Sequence, residues 1–181
     1  MIEKVGLTGP NASGKGEAAR ILRKYGYSYF SLSDIIREEA SRQGLEHSRE
    51  NLIVTGNRLR SEKGAGILAE MITLRLDTHS VIDSIRNPEE VNVLKKNGNF
   101  VLLGVCAEAR IRFERMKQRG RIGDALSFED FLRMEEKEQS GPEHSQNLRE
   151  CLNMADILID NNGTPEDLEE QVTRACGITG A

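Results

Sequence analysis

The chain has 181 residues, of which 30% are charged and 4% aromatic, and its formal net charge is −4. That length fits one domain with a core large enough to be stable alone. The acidic balance, without a basic face interleaved with aromatic residues, argues against nucleic acid as a partner. No apolar stretch is long enough for a membrane span, and the three cysteines are widely spaced, as in the reduced thiols of a cytoplasmic protein.

Predicted strands and helices alternate along the chain. Apolar runs predict strands at residues 4–8, 27–31, 81–85, 99–106 and 156–160. Helical patterns follow at 14–25, 34–43, 48–78 (two helices, broken near 64–66), 87 onward, 108–119, 147–154 and 164–176. Ser33 is the predicted N-cap of the second helix. Two later helices are predicted to begin at an N-cap followed by proline and acidic residues, at Asn87-Pro88-Glu89-Glu90 and Thr164-Pro165-Glu166-Asp167. The alternation of strands and helices predicts an α/β fold, a three-layer α/β/α sandwich around a mainly parallel five-stranded sheet, as a single domain over residues 1–181. The charged stretch at about 120–142 is predicted to be a mobile, lid-like excursion.

A glycine-bounded loop with a lysine lies between the first predicted strand and the first predicted helix. The loop reads Gly9-Pro10-Asn11-Ala12-Ser13-Gly14-Lys15-Gly16. Strand, loop and helix in this order are the context of a phosphate-binding P-loop. Gly9 and Gly14 allow successive N–H groups to point inward, the first helical turn adds unpaired donors, and Lys15 adds a full charge. The alternative is a glycine-rich turn that binds nothing.

The residue after Lys15 departs from the general P-loop motif. Gly16 stands where Ser or Thr would place a hydroxyl on Mg²⁺. The Gly-Lys-Gly run resembles adenylate kinases, whose loops continue with Thr where this chain has Glu17. The resemblance implies that residues 9–17 bind the phosphates of ATP. A carboxylate at Glu17 is unfavourable beside polyphosphate unless it turns outward.

A second cluster follows the second predicted strand, at the sheet edge where ligands bind in such folds. Asp34 and Arg37 are three residues apart on a predicted helix and face the same way. A carboxylate beside a guanidinium suits an acceptor with a hydroxyl or phosphate and a second anion, although a helix-start acid and a solvated arginine are an equally good interpretation from spacing alone. The segment resembles the T-G-D-x-L-R stretch of adenylate kinases and the substrate helix of dephospho-coenzyme A kinases. The resemblance implies that Arg37 holds the acceptor's phosphate and that Asp34 acts on its hydroxyl.

The third predicted strand ends beside the P-loop and carries two further candidates. Asp83 is placed to hold Mg²⁺ through water, as acidic residues do in this class of site. The alternative is a strand-end acid that caps the next turn. Arg86 resembles the arginine of the D-G-F-P-R segment of adenylate kinases, which implies a contact with the acceptor's phosphate.

The predicted basic helix carries Arg115 and Arg119 one turn apart, next to the excursion. Arginines at this place would stabilise the charge that phosphoryl transfer spreads over equatorial oxygens, although a charge run is usually a solvated helix face. Their spacing resembles the lid-flanking arginines of both kinase families. Arg133 ends a segment that resembles the lid helix of dephospho-coenzyme A kinases.

The segment from Ala155 to Thr164 reads much like the A-D-x-x-I-x-N-x-G segment of dephospho-coenzyme A kinases. That resemblance implies that the loop with Asn161 and Gly163 borders the donor's adenine. The alternative is a plain asparagine-glycine turn before a capped helix.

Over nearly its full length the chain resembles the P-loop kinase group of P-loop NTP hydrolases, with a nucleoside monophosphate kinase-like fold and a small helical lid. The resemblance implies ATP- and Mg²⁺-dependent phosphoryl transfer to a nucleotide or nucleotide-like acceptor, with Lys15, Asp34, Arg115 and Arg119 as catalytic residues. The rival is a catalytically weak regulatory or assembly protein, which Gly16 and Glu17 favour, and a slow ATPase is a third option. The acceptor, the choice of ATP or GTP and the oligomeric state stay open.

Overall fold

The computed structural model describes residues 1–120, 125, 127–139 and 147–178, and for residues 137–139 it describes the backbone alone. The strands are β1 (Lys4–Thr8), β2 (Ser28–Ser31), β3 (Ser80–Asp83), β4 (Phe100–Cys106) and β5 (Ile157–Asp160). They form a five-stranded sheet in the order β2-β3-β1-β4-β5, and every pairing is parallel. The predicted sheet is confirmed.

Helices cover both faces of this sheet. They are α1 (Lys15–Lys24), α2 (Leu32–Arg42), α3 (Arg49–Lys63), α4 (Ile67–Thr73), α5 (Pro88–Lys95), α6 (Ala109–Arg119), α7 (Phe128–Gln139), α8 (Leu148–Asn153) and α9 (Pro165–Ala175). Val5 and Leu7 pack with α1 and α9 on one face, whereas Ile82 and Leu102 pack with α2, α4 and α5 on the other. The alternation of side chains along each strand therefore builds two cores, and the three-layer architecture is confirmed.

Local capping explains where several helices begin. Asn87 and Glu90 form a reciprocal capping box with proline in the first turn, as the sequence predicts. The start of α2 differs from the prediction of a helix capped by Ser33. Ser31 is the N-cap, because it keeps the extended conformation of β2 and its Oγ accepts a hydrogen bond from the Ser33 amide at 3.2 Å.

A third, smaller core joins α6 to α7. Phe113 and Phe131 pack with their ring centroids 5.7 Å apart. The buried side chains of Arg112 and Glu135 form a bidentate ion pair between the same two helices. Part of the predicted excursion at 120–142 is therefore a docked helix, and residues 121–124, 126 and 140–142 lie outside the described residues. In the described part of the chain, no helix is both long and apolar enough to cross a membrane.

Truncation of Phe131 tests whether this third core is independent of the sheet. Phe131 is 2% exposed and belongs to the small core alone, so Phe131→Ala removes docking energy from α6 and α7 but leaves the other two cores intact. Hydrogen exchange should rise by about tenfold or more in these two helices and stay unchanged in β1 and β4. The control is Leu132→Ala, whose side chain is 42% exposed. Equal acceleration throughout the chain would contradict an independent core.

Candidate functional site

The loop between β1 and α1 has a backbone that depends on its glycines. Gly9 and Gly14 have φ values of 140° and 104°. A Cβ at Gly9 would overlap the carbonyl oxygen of Val105, and a Cβ at Gly14 would overlap the side-chain amide of Asn161. Ala12 also has a positive φ, of 58°. The loop therefore holds the curled conformation in which successive amides converge, as in an anion-binding nest.

Two polar side chains in this loop fit a phosphate ligand. Ser13 is fully buried, and its Oγ has no hydrogen-bond partner among the described residues. Lys15 curls back over the loop, where its Nζ donates to the carbonyl oxygens of Gly9 at 2.6 Å and Pro10 at 2.8 Å. The first amides of α1 lack acceptors within the helix. An unpartnered hydroxyl, helix amides and an ammonium in one loop are a donor set that suits a polyphosphate.

The two residues that depart from the usual motif have different surroundings. The space beside Gly16 is open, because a Cβ there would have no atom within 4 Å. Glu17 forms a bidentate pair with the exposed Arg20, which donates from Nε to both carboxylate oxygens at 3.0 Å. This hydrogen bonding lowers the pKa of Glu17, so the carboxylate is ionised and its charge is compensated by Arg20. Glu17 is also one of the residues that line the cleft beside this loop.

A cleft of ≈ 710 Å³ runs along the carboxyl ends of the strands from this loop to α2 and α3. Among the described residues that line the cleft, seven are lysine or arginine and two are aspartate or glutamate. The basic ones are Lys15, Arg37, Arg49, Arg60, Arg86, Arg115 and Arg119. A cleft with this excess of positive charge attracts polyanionic ligands.

Asp83 lies at the end of β3 and is 9% exposed. Its Oδ2 accepts a hydrogen bond from the Tyr29 hydroxyl at 3.2 Å, and its Oδ1 accepts one from the Ser84 amide at 2.5 Å. Burial and, next, the charge of Asp83 raise the pKa of Tyr29 to about 12, which keeps the phenol protonated as a donor. The described residues contain no group of three or more potential metal ligands. A Mg²⁺ ion at Asp83 would thus take its remaining ligands from phosphate and water.

Two of the acceptor candidates line the same cleft. Arg37 lines it and donates to Asp34 at 2.6 Å, and both side chains are close to half-exposed. Asp34 itself is not among the lining residues. Such exposed pairs contribute little stability, so a ligand can replace Asp34 at the guanidinium at low cost. Arg86 also lines the cleft, and its amide donates to the buried Glu90 at 2.9 Å, which fixes the turn that carries it.

Arg115 and Arg119 lie at the P-loop end of the cleft. Arg115 donates from Nη2 to the carbonyl oxygen of Asn161 at 3.0 Å, and its buried Nη1 has no partner among the described residues. Arg119 donates to Oδ1 of Asn11 at 3.3 Å. Helix α6 therefore brings both arginines to the loop, as the predicted role requires.

Six predicted site residues are not among those that line the cleft: Gly9, Pro10, Asp34, Arg133, Asn161 and Gly163. Asn161 is 6% exposed and holds the backbone of the P-loop, because its Nδ2 donates to the carbonyl oxygen of Ser13 at 2.8 Å. Gly163 belongs to the turn before the N-cap of α9. Arg133 pairs with Asp130, and its side chain is 73% exposed. Contact of Asn161 and Gly163 with a base, and of Arg133 with substrate, stay predictions.

A family model described as "AAA domain" matches residues 8–132. A UPF0200 protein of Hyperthermus butylicus is 34% identical over 172 residues, which cover 93% of this chain and 90% of that protein. The chain belongs to the UPF0200 family. A UPF0200/UPF0201 protein of Archaeoglobus fulgidus is 35% identical over 176 residues, or 93% of this chain, which spans 53% of that relative.

The fold of this UPF0200 chain is shared with solved kinases. Shikimate kinase from Aquifex aeolicus superposes with a TM-score of 0.60, at 16% identity, over 95% of this chain and 94% of that one. The likeness shows a P-loop kinase fold. The predicted P-loop kinase fold is confirmed.

Sequence reasoning missed several residues of the cleft wall. Tyr29 lies on β2, while His47 and Arg49 lie around the start of α3. Arg60 lies further along α3 and is almost fully buried. The available signal was the spacing of Arg49, Leu52 and Arg60, which share one helix face.

Paired substitutions at two loop glycines test this geometry. Gly14→Ala forces a methyl group onto the Asn161 amide at a φ of 104°, whereas Gly16→Ala adds the same methyl group to open space. We expect the first to lower the free energy of unfolding by about 1–3 kcal/mol and to abolish the thermal shift given by ATP. Gly16→Ala should keep the thermal shift given by ATP near the wild-type value. Its free energy of unfolding should be unchanged or higher by up to about 1 kcal/mol, because Gly16 lies in α1. Equal behaviour of the two variants in thermal unfolding with and without ATP would contradict the described loop.

Proposed function

We propose that this protein is an ATP- and Mg²⁺-dependent phosphotransferase that acts on a nucleotide or nucleotide-like acceptor. The observation that carries the proposal is a single cleft that is lined both by the P-loop and by Arg37 and Arg86. Such a cleft suits two anionic ligands, a donor and an acceptor, which meet in its middle. Holding two reactants in line supplies much of the catalysis in this reaction class.

The donor end would bind the phosphates of ATP. Backbone N–H groups of residues 9–16, apart from Pro10, and the hydroxyl of Ser13 would donate to phosphate oxygens. Lys15 would exchange its two carbonyl partners for phosphate oxygens. Magnesium bound to these phosphates would neutralise their charge, with Asp83 as its protein partner through water.

The acceptor end would hold an anionic molecule by Arg37 and Arg86. For an acceptor hydroxyl, Asp34 takes the proton as the oxygen forms its bond to the γ-phosphorus. The bond from that phosphorus to the bridging oxygen breaks, and ADP leaves. For an acceptor that is itself a phosphate, Asp34 only orients Arg37, with which it is paired.

Arg115 and Arg119 would stabilise the transferring group. Their guanidinium groups lie beside the P-loop on α6, and Nη1 of Arg115 is buried and unpartnered in the described part of the chain. A donor fixed before the reaction costs no reorganisation when charge spreads over the equatorial oxygens. One well-placed arginine can contribute ~10³ or more in rate.

An ADP-release assay over a panel of nucleoside monophosphates and dephospho-coenzyme A tests the proposal. Acceptor-stimulated release is expected for wild type, with kcat lowered about 100-fold or more in Lys15→Ala. Arg37→Ala should raise the acceptor KM about tenfold or more, since it removes a charge-assisted contact. The matched control is Arg42→Ala on the same helix, which removes an exposed pair with Glu39 and should change neither constant.

The same assay separates the proposal from its rivals. Tight ATP binding without turnover on any acceptor would favour a regulatory protein, and turnover indifferent to acceptor would favour an ATPase. The pairing of Glu17 with Arg20 compensates the negative charge at one of the two residues that favour the regulator.

The open space at Gly16 allows a gain-of-function test. Gly16→Ser restores the hydroxyl that the general motif uses on Mg²⁺, and the structure has room for it. We expect the Mg²⁺ concentration for half-maximal ATP binding to fall about threefold or more, with Gly16→Ala as the control for the added methyl group. An equal effect of Ser and Ala would contradict a metal site next to this residue.

A further inference from the structure

One face of helix α3 forms a wall of the cleft. Arg49, Leu52, Ile53 and Arg60 all line it, and their spacings of three, four and eleven residues keep them on one side of the helix. Arg49 and Arg60 are about three turns apart, or roughly 16 Å along the axis. The wall therefore carries a cation at each end and an apolar surface between them, which suits a flat ring.

Arg60 is a buried donor with an unused group. Its side chain is 1% exposed, and it donates to Oε1 of Glu90 from Nε at 2.9 Å, with Nη2 at 2.8 Å from the same oxygen. Its Nη1 is itself buried and has no hydrogen-bond partner among the described residues, and Arg60 is one of the residues that line the cleft. A buried guanidinium nitrogen without an acceptor is costly, so an acceptor atom that reached it from the cleft would stabilise it.

The space around Nη1 is kept by Gly56. A Cβ at Gly56 would lie 2.9 Å from Cδ1 of Ile36 and 3.3 Å from Nη1 of Arg60. Glycine within a helix costs about 1 kcal/mol relative to alanine. The backbone thus accepts an unfavourable residue at the place where it lets the guanidinium group sit against the helix.

Charge balance decides what kind of group Nη1 binds. Glu90 is fully buried and neutralises Arg60, while its Oε2 accepts hydrogen bonds from the amides of Arg86 at 2.9 Å and Asn87 at 3.1 Å. A second full anion at Arg60 would leave this buried pair with an uncompensated negative charge. A neutral carbonyl oxygen accepts the hydrogen bond without that cost. An amino group is excluded, since a guanidinium has no acceptor to offer it.

We propose that Arg60 determines acceptor specificity by donating from Nη1 to a carbonyl oxygen on the acceptor's ring. The acceptor is then a nucleotide with an oxo-substituted base, in preference to an amino-substituted one. This inference rests on the proposed function, because it places the base of the acceptor against α3 while Arg37 and Arg86 hold its phosphate.

Matched pairs of nucleotides test the inference on the intact wild-type protein. Inosine and adenosine 5′-monophosphate differ at position 6 of the base, and uridine and cytidine 5′-monophosphate differ at position 4. Calorimetry should show about tenfold or tighter binding of the oxo member of at least one pair, the size of a hydrogen bond to a charged group. Equal binding within both pairs, or a preference for the amino members, would overturn the inference.

A double variant assigns the preference to Arg60. Arg60→Met with Glu90→Gln removes both charges together, since loss of Arg60 alone would leave Glu90 buried and unpaired. In this variant the ratio of the affinities for the oxo and the amino member of a pair should fall to about one. The oxo preference should persist in Arg58→Met, which lies on the same helix but outside the cleft and pairs with Glu39 and Glu62. Persistence in the double variant would overturn the role of Arg60.

Turnover of the same four nucleotides separates this inference from the proposed function. If all four nucleotides bind equally tightly and are phosphorylated, the role of Arg60 is overturned and the proposed kinase activity is retained. Failure of all four to bind, together with no acceptor-stimulated ADP release on any acceptor of the panel, overturns both.

Discussion

The P-loop keeps its shape because two neighbouring strands hold its backbone from outside. The side chain of Asn161, at the end of β5, donates to the carbonyl oxygen of Ser13, and the carbonyl oxygen of Val105 in β4 occupies the side of Gly9. Both contacts require the sheet order in which β1 lies beside β4 and β4 beside β5. A loop fixed in this way presents its amides to a ligand without rearrangement, which is the preorganisation that phosphate binding and transfer need.

Buried and exposed ion pairs have different roles around the cleft. Two pairs are buried. Arg60 with Glu90 fixes the face of α3 that lines the cleft, and Arg112 with Glu135 fixes the α6–α7 core. Separation of the two partners would leave an unpaired charge in the protein interior, which is costly. The two side chains of each buried pair therefore stay together. The pair of Arg37 with Asp34 is exposed, and its members can change partners when a ligand arrives. The cleft thus combines a rigid frame with cations that are ready to bind an anion.

Local patterns in the sequence were enough for the sheet, the P-loop and two of the capped helix starts, because apolar runs, glycine spacing and N-cap residues act over a few positions. Apolar residues are few in helix α7, so periodicity alone did not predict it. Only the resemblance to the lid helix of dephospho-coenzyme A kinases indicated this helix, which gains its order by packing on Phe113. Arg60 was missed for a related reason. Its burial depends on Glu90, thirty residues away, and the position of Asn161 beneath Ser13 depends on the strand order.

Every proposed role of the cleft requires that the loop of residues 9–16 binds polyphosphate, and calorimetry on the intact protein tests this binding most directly. Titration with ATP, and separately with GTP, in the presence of Mg²⁺ should give saturable binding of at least one nucleotide at one site per chain. The absence of binding for both nucleotides under these conditions would contradict the account at its base.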